Sequence, residues 1–414
     1  TRRDLPGIPA GGGQTDCRLC EKIAGSHYSL VKNIDAAMTK LVVTIFKAIN
    51  LFVIVLYLSA CLIPVLPAGR FWMVAVLGLI FPLLFILVLL FLICWLIARS
   101  RWCLLSLVAI ALSWQQLSAV VSLHGKKEFI LTKNNETLRV LTWNTSSWGE
   151  TSKSDGTTTN LPKMLETVKE QQADVLCFQE FWDRKSSRSS DARYSNIEEF
   201  KKMGYPYFYF AKTINDNFYR KMGVSIISKY PITDTVKFRY GEDDFAEDLI
   251  YADIQFNQQK IRIFTTHLQS VRFEQGEYSA ISKIKRTDKS GLRDSKNIVR
   301  KLKNAYWYRG SQADLVKEKI KESPYPVIIC GDFNDVPNSY TYFTIKGNLQ
   351  DAFLKKGNGI GRTFQYLFPT LRIDYILADK NLDVEQFNRI TVPYSDHYPV
   401  VADFSVKVSG IASK

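Results

Sequence analysis

The sequence predicts a helical region in a membrane, followed by an α+β unit of two mixed β-sheets packed face to face with helices outside. Three observations predict it. The first third holds long apolar runs almost free of charge. From about Glu136 the pattern changes to short apolar strands, some in antiparallel pairs, with fewer helices than a doubly wound sheet needs. Polar residues then recur at the ends of those runs, where a sheet presents its chemistry.

The membrane region comes first. Ala48–Leu66 carries one strongly polar side chain, Asn50, and Phe71–Ile97 has no charge. A helix rises about 1.5 Å per residue and about 20 apolar residues cross a bilayer, so both stretches can span. Pro67-Ala68-Gly69-Arg70 makes them a helical hairpin. Trp102–Leu123 is also uncharged but includes Gln115 and Gln116; it reads as a third span or an interfacial helix. Lys32, Lys40 and Lys47 precede the first span, Arg70 alone lies in the first loop, and Arg99 and Arg101 lie in the second. This bias puts the N-terminus and second loop inside. Three spans would then carry the α+β unit out of the cytoplasm, and two would keep it in.

The expected division is residues 1–37 as a flexible extension, 38–124 as the membrane region and 125–414 as the α+β domain. Met38 looks like a natural start, so the extension is expected to have little role. Its Cys17-x-x-Cys20 with His27 falls short of the roughly four ligands a zinc site needs. Cys61, Cys94 and Cys103 fall in or beside membrane helices. Cys177 and Cys330 fall in core strands, and no disulfide framework is implied.

Along the soluble part, Leu138–Trp143 is a strand ending at Asn144, and Leu161–Gln171 has helical apolar spacing. Asp174–Phe178 is a strand ending in Gln179-Glu180, and Val224–Ile227 another. Leu249–Phe256 and Lys260–Thr265 form an antiparallel pair around Asn257-Gln258-Gln259, the second ending in Thr266-His267. Lys296–Lys321 is a long helix. Strands then follow at Pro326–Cys330, which leads into Gly331-Asp332-Phe333-Asn334, at Arg372–Leu377 and at Val400–Val406. Tyr205, Tyr207, Phe208, Tyr209 and Phe210 read as core strand residues.

Asn144, Glu180, His267, Asp332, Asn334, Asp374, Asp396 and His397 therefore all sit at or near strand ends. Each alone is unremarkable: a Glu after a strand is usually solvated and a lone His usually structural. Together they suit phosphoester hydrolysis, which needs an activated water, compensated charge on the phosphoryl oxygens and help for the leaving oxygen. A hard divalent cation held by a few carboxylates supplies much of this. Glu180 is the best primary ligand, with Asn144 and Asp396 completing or flanking it. His397 held by Asp374 can act as base or as a charged clamp. On a strand, residues two apart point the same way, so Asp332 and Asn334 would project together, one to orient or deprotonate the water and the other to donate to a phosphoryl oxygen.

Leu-Thr-Trp-Asn144, Cys-Phe-Gln-Glu180, Thr-Thr-His267, Gly-Asp332-Phe-Asn334, Arg-Ile-Asp374-Tyr and Ser-Asp396-His397 together resemble the endonuclease/exonuclease/phosphatase superfamily of DNase I-like phosphodiesterases, over roughly residues 138–406. The resemblance implies a four-layered α/β-sandwich, Mg2+ (or Mn2+) at Glu180, a His397–Asp374 pair and Asp332 with Asn334 at the scissile phosphate. It also makes His267 a second histidine, general acid or phosphate contact. Asp332 and His397 both remain open as the base.

The superfamily includes nucleases, inositol-phosphate phosphatases and sphingomyelinases. Thr266-His267-Leu268-Gln269-Ser270 resembles sphingomyelinase sequences, the two-span N-terminus resembles the neutral membrane-bound ones, and anchored bacterial members are the nearest overall likeness. The expectation is an integral protein of a bacterial cytoplasmic membrane, with the bilayer and a phosphodiester as partners, phospholipid favoured over nucleic acid, and no obligate protein partner. Small phosphoesters are the further enzymatic alternative. The net charge of +14 suits anionic headgroups or nucleic acid without choosing between them. The basic run Lys283–Lys303 reads first as a solvated helix face with its lead-in loop. An inactive tethered scaffold would lack one of Glu180, Asp332, Asn334 or His397, and all are present.

Overall fold

The structure is a computed structural model that describes residues 17–125, 127–152, 160–184, 195–216, 220–241, 247–271, 291–366 and 368–406. The chain divides into two compact units, residues 1–55 and 56–414. The first is helical through its described residues, as the major part of α1 (Cys17–Cys61), and exposes Leu41, Val42, Ile45 and Phe52.

The second unit begins with the last turn of α1 and continues into α2 (Trp72–Ile97), α3 (Cys103–Leu112) and α4 (Trp114–Val120). Asp35–Val65 and Trp72–Ile97 are long and apolar enough to cross a membrane. The third apolar stretch is not one straight helix: α3 and α4 meet at a 64° bend. The break falls at Ser113, whose hydroxyl hydrogen-bonds Tyr57 Oη at 2.5 Å, and Gln116 is turned inward to donate to Cys61 O. Polar side chains that would face lipid in a straight span thus find partners inside.

The rest of this unit comprises β1 (Ser122–Leu123), β2 (Thr137–Asn144), α5 (Leu161–Gln171), β3 (Val175–Arg184), α6 (Asn196–Lys202), β4 (Tyr207–Asp216), β5 (Arg220–Ser228), β6 (Ile232–Phe238), β7 (Glu247–Phe256), β8 (Gln259–His267), α7 (Gly291–Lys321), β9 (Val327–Asp332), α8 (Tyr340–Lys346), β10 (Gln350–Asp351), α9 (Ala352–Lys356), β11 (Asn358–Gly359), β12 (Asp374–Ala378), β13 (Leu382–Arg389) and β14 (Val400–Val406). One six-stranded sheet has the order β10-β12-β9-β8-β7-β6, and the other β13-β14-β2-β3-β5-β4. Both are mixed, since β2–β3 and β8–β9 are parallel and their neighbours antiparallel.

Strand periodicity sets the layers. Val140, Cys177, Ile263, Ile328, Cys330 and Ile376 point between the sheets into one core. Their alternates Ile329, Tyr375 and Leu377 pack with Val316 of α7 and Tyr342 of α8, while Leu141, Trp143 and Leu176 pack with Met164 of α5 and Phe200 of α6. Helix, sheet, sheet, helix is the expected four-layered sandwich. Cys177 and Cys330 are buried in its centre, where burial first of all raises the Cys177 thiol pKa well above its usual range.

Several sequence expectations need correction. β3 does not stop before Gln179-Glu180 but runs on to Arg184, with a register shift between Phe178 and Phe181. β12 starts at Asp374, two residues after the expected Arg372. β4 is an edge strand, so Tyr207 and Phe208 are 39% and 41% exposed and only Tyr205 of the aromatic group is fully buried. Of the basic run, residues 283–290 lie outside the described residues; Lys296, Arg300 and Lys303 are exposed on α7, as a solvated face requires. The side chains of Cys17, Cys20 and His27 also lie outside the description.

Candidate active site

The site lies where the inter-sheet row of side chains changes from apolar to polar. On β9 the inward positions are Ile328, Cys330 and then Asp332; on β12, Ala378 and Ile376 lead back to Asp374. On β2, Val140 is followed by Thr142 and Asn144, and on β8, Ile263 by Thr265 and His267. Period-two alternation thus delivers Asn144, His267, Asp332 and Asp374 to one end of the sandwich, the last three from one sheet and Asn144 from the other. Register fixes their neighbours: Asp332 pairs with Asp374 across one ladder and with His267 across the other.

Beneath them a polar floor separates the site from the apolar core. Gln179 Nε2 donates to Thr265 Oγ1 at 2.9 Å and to Thr142 Oγ1 at 3.1 Å, all three fully buried. Gln179 takes the inward place on β3, and Glu180 follows it at φ 49° in the irregularity of that strand. A bulge re-aims the side chain of the extra residue. Here the re-aimed residue is a carboxylate, left 31% exposed, with Oε1 accepting from Asn144 Nδ2 at 3.3 Å.

Asn334 reaches the site by a different route from the one its spacing suggests. β9 ends at Asp332, and Asn334 is left-handed at φ 51°. Asp332 Oδ1 accepts the Asn334 backbone N–H at 2.8 Å, and Asn334 Nδ2 donates to Leu268 O at 2.9 Å. A strained turn, not strand alternation, puts both residues on the cavity wall. Gly331 makes the turn possible: at φ +138° it has no Cβ to collide with Thr266 O, which would lie 2.1 Å away.

Asp332 is the centre of the cluster. Its Oδ2 accepts from Asn144 Nδ2 at 3.1 Å and lies 3.5 Å from His267 Nε2 and 3.6 Å from His397 Nε2. His397 Nδ1 is held by both Asp374 oxygens at 3.0 and 3.1 Å. Ser395 fixes the histidine loop, donating to Asn144 O at 2.7 Å and accepting from His397 N at 3.1 Å. Trp143 Nε1 donates to His397 O at 2.9 Å. Thr363 Oγ1 accepts from the backbone N–H of Asp374 at 3.1 Å. Asp396 lines the same cavity, with Oδ1 near Ser395 Oγ at 3.2 Å.

Electrostatics follow from this packing. Burial alone would push the His397 pKa down. The charges of Asp374 and Asp332, the hydrogen bond to Asp374 and the charge of Asp396 outweigh it, and hold the imidazole well above its usual 6.5. Burial raises the Asp332 pKa, with Asp374 adding to the rise and His397, His267 and the Asn334 N–H opposing it.

The donor set fits a hard divalent cation. Glu180, Asp332 and Asp396 bring carboxylate oxygens to one cavity, the ligand chemistry Mg2+ prefers, and Asn144 lines it with its Oδ1 accepting from the Ser146 N–H at 3.0 Å. Asp332, Asp374 and His397 also offer ligand atoms within 4.8 Å of one another. In that trio, however, Nδ1 of His397 is already committed to Asp374, and the grouping is better read as a charge network. The structure brings every sequence-predicted site residue into this network or onto its cavity. Sequence reading missed Gln179, Thr142, Thr265, Thr363, Ser395 and a buried Arg309 that also lines the cavity. Only the polar interruption of the inward apolar rows could have pointed to the first three.

Known proteins resemble the chain along the same span. Sphingomyelinase C of Bacillus cereus is 25% identical over 329 residues, covering 67% of this chain and 91% of that protein. The structure of an endonuclease/exonuclease/phosphatase from Beutenbergia cavernae is 18% identical, with a TM-score of 0.47, covering 66% of this chain and 72% of that one. For the human Nocturnin catalytic domain with bound sulfate the figures are 18%, 0.45, 66% and 96%. A family model described as a domain of unknown function matches residues 42–120. The model of the endonuclease/exonuclease/phosphatase family matches residues 141–397, from the middle of β2 to His397, and so takes in every residue of the cluster. The chain belongs to that family and is a phosphoester hydrolase.

Proposed function

We propose that the protein is a membrane-anchored, Mg2+-dependent phosphodiesterase that hydrolyses a phospholipid in the manner of a phospholipase C. The phosphodiester chemistry rests on the two imidazoles flanking one oxygen of Asp332. The lipid reading is carried by the seating of α2 beside the site. A Cβ at Gly78 would lie 2.3 Å from Asn338 O, and Asn338 Nδ2 donates to Ala60 O at 3.2 Å. Asn338 is on the loop that leaves Asp332, so an apolar helix is joined to the segment bearing the reaction centre. The likeness to Sphingomyelinase C supports the same substrate class.

Glu180, with Asn144 and Asp396, would hold the cation, which when bound supplies positive charge to offset the phosphoryl oxygens. Asp332 orients the water and takes its proton as the water oxygen attacks phosphorus. His397, kept protonated by Asp374, stabilises the charge that builds on the phosphoryl oxygens, and Asn334 flanks the same space. The ester P–O bond breaks and the leaving alkoxide takes a proton from His267, giving a diacylglycerol or ceramide and a phosphorylated headgroup.

The test is hydrolysis by purified, detergent-solubilised protein with and without Mg2+, offered sphingomyelin, other phospholipids and DNA in parallel. We expect release of phosphorylated headgroup from lipid alone. Cleavage of DNA alone would overturn the lipid reading. His397→Ala should lower kcat by about 1000-fold, and Glu180→Ala should raise the Mg2+ needed for half-activity by about tenfold or more. Normal kinetics in both folded variants would reject the residue assignments.

A further inference from the structure

The cavity over the site encloses about 410 Å³ and has two unlike walls. One is the polar cluster. The other is apolar and made by Leu79 of α2, Ile298 and Leu302 of α7, and Val336, Phe364 and Leu371 of the loops around the site. Ile298 and Leu302 are a helical turn apart and share a face. Phe364 joins the two walls: its ring meets the His397 ring edge-on, with centroids 5.0 Å apart. Leu79 packs on the cluster of Val336, Phe364, Leu371 and Ile373. Leu302 also packs with Ala68, Ala75 and Tyr306, so the apolar wall is the seam between α2, with the turn before it, and the sandwich.

Beyond this seam one face of α2 stays packed, with Phe81, Leu84, Val88 and Trp95 buried, while its other faces are open. Ala75 and Gly78 are buried, whereas Leu83, Ile86, Leu90, Ile93 and Leu96 farther along are exposed. An exposed apolar face of this kind belongs in hydrocarbon. The cavity thus opens beside the point where α2 leaves the sandwich for the bilayer. The charged pair at its edge is occupied: Arg309 donates to Asp335 Oδ2 and Gln269 O, and Asp335 accepts from Thr341 as well. A nucleobase buried there would leave its polar edges facing aliphatic side chains, at a cost hydrocarbon does not incur.

We propose that this apolar annex seats the first part of a hydrocarbon chain of the lipid being cleaved, and that the lipid enters sideways from the leaflet along α2 without leaving the bilayer. The proposal rests on the phospholipid reading above and adds to it the residues that recognise the chain. It makes Leu79, Ile298 and Leu302 determinants of chain preference, and it makes α2 part of the substrate site.

The test uses the full-length protein in vesicles with two substrates that share one headgroup, a long-chain lipid and a short-chain water-soluble analogue. Leu302→Trp fills the annex. The ratio of long-chain to short-chain kcat/KM should fall by about tenfold or more, and a ratio within about twofold of wild type would overturn the proposal. A second measurement avoids any change to the annex. A lipid with a photoactivatable group on its acyl chain is offered to the slow His397→Ala protein, and adducts should appear in the peptide containing Ile298 and Leu302. Adducts confined to the exposed apolar helices would overturn the annex while the lipid reading stood. Absence of any lipid hydrolysis by wild type would instead remove the reading beneath it.

Discussion

His397 is the residue whose environment has the most consequence. Its folded pKa is raised, so it contributes stability that is fully present below the unfolded value of about 6.5 and is lost as pH rises toward the folded value. In metal-free protein the stability gap between wild type and His397→Gln should therefore narrow by about 1.4 kcal/mol per pH unit above that point. Urea unfolding at a series of pH values checks this; a gap independent of pH would mean that the histidine is neutral in the fold. Residue identities at the site were legible in the sequence because each interrupts or follows an apolar run. Their geometry was less so. Asn334 looked like the strand neighbour of Asp332 but occupies a left-handed turn anchored by that carboxylate. Gln179, Thr142 and Thr265 show in the sequence only as polar breaks in inward apolar rows, since their bonds exist only after two sheets have met.

Among elements, those with clean periodicity were found where expected: α5 at Leu161–Gln171 and the β7–β8 pair around Asn257 and Gln258, both of which take positive φ at the turn. β6 and β13 were not read, because edge positions leave them half-exposed and without clear alternation, and β4 was read as a core strand although it lies at an edge. The bulge in β3 was also invisible, as nothing in Phe178-Gln179-Glu180-Phe181 announces an extra residue. The central β2–β14 pair illustrates how the second sheet is held. Arg139 donates Nε and Nη2 to both oxygens of Asp403 at 2.7 and 2.9 Å, and its other donors reach Ile130 O, Leu131 O and Gln171 O. Removing one partner leaves a buried charge uncompensated. Asp403→Ala should cost about 3–5 kcal/mol in chemical denaturation, whereas a loss below about 1 kcal/mol would show that the carboxylate is replaced by water or by Gln386, whose Nε2 donates to Asp403 Oδ2 at 2.8 Å.

At the scale of the molecule, the active centre is shared between sheets. Asn144 comes from one and Asp332 from the other, and they are joined by a hydrogen bond. His397 lies between β13 and β14 of one sheet, and its partner Asp374 lies on β12 of the other. Enlarging a side chain deep in the shared core should therefore disturb activity without touching the site. Ala252 is fully buried on β7 in that core. Ala252→Leu should destabilise by about 1–3 kcal/mol, and at temperatures where it remains folded its kcat should fall; an unchanged kcat would mean that the strand ends hold the site by themselves. The thickness of the sandwich thus acts as a calliper on the distances between Asn144, Asp332, Asp374 and His397. An enzyme built this way loses its catalytic reach as soon as the sheets ease apart, long before either sheet frays. Activity then becomes the earliest reporter of a loosening interior.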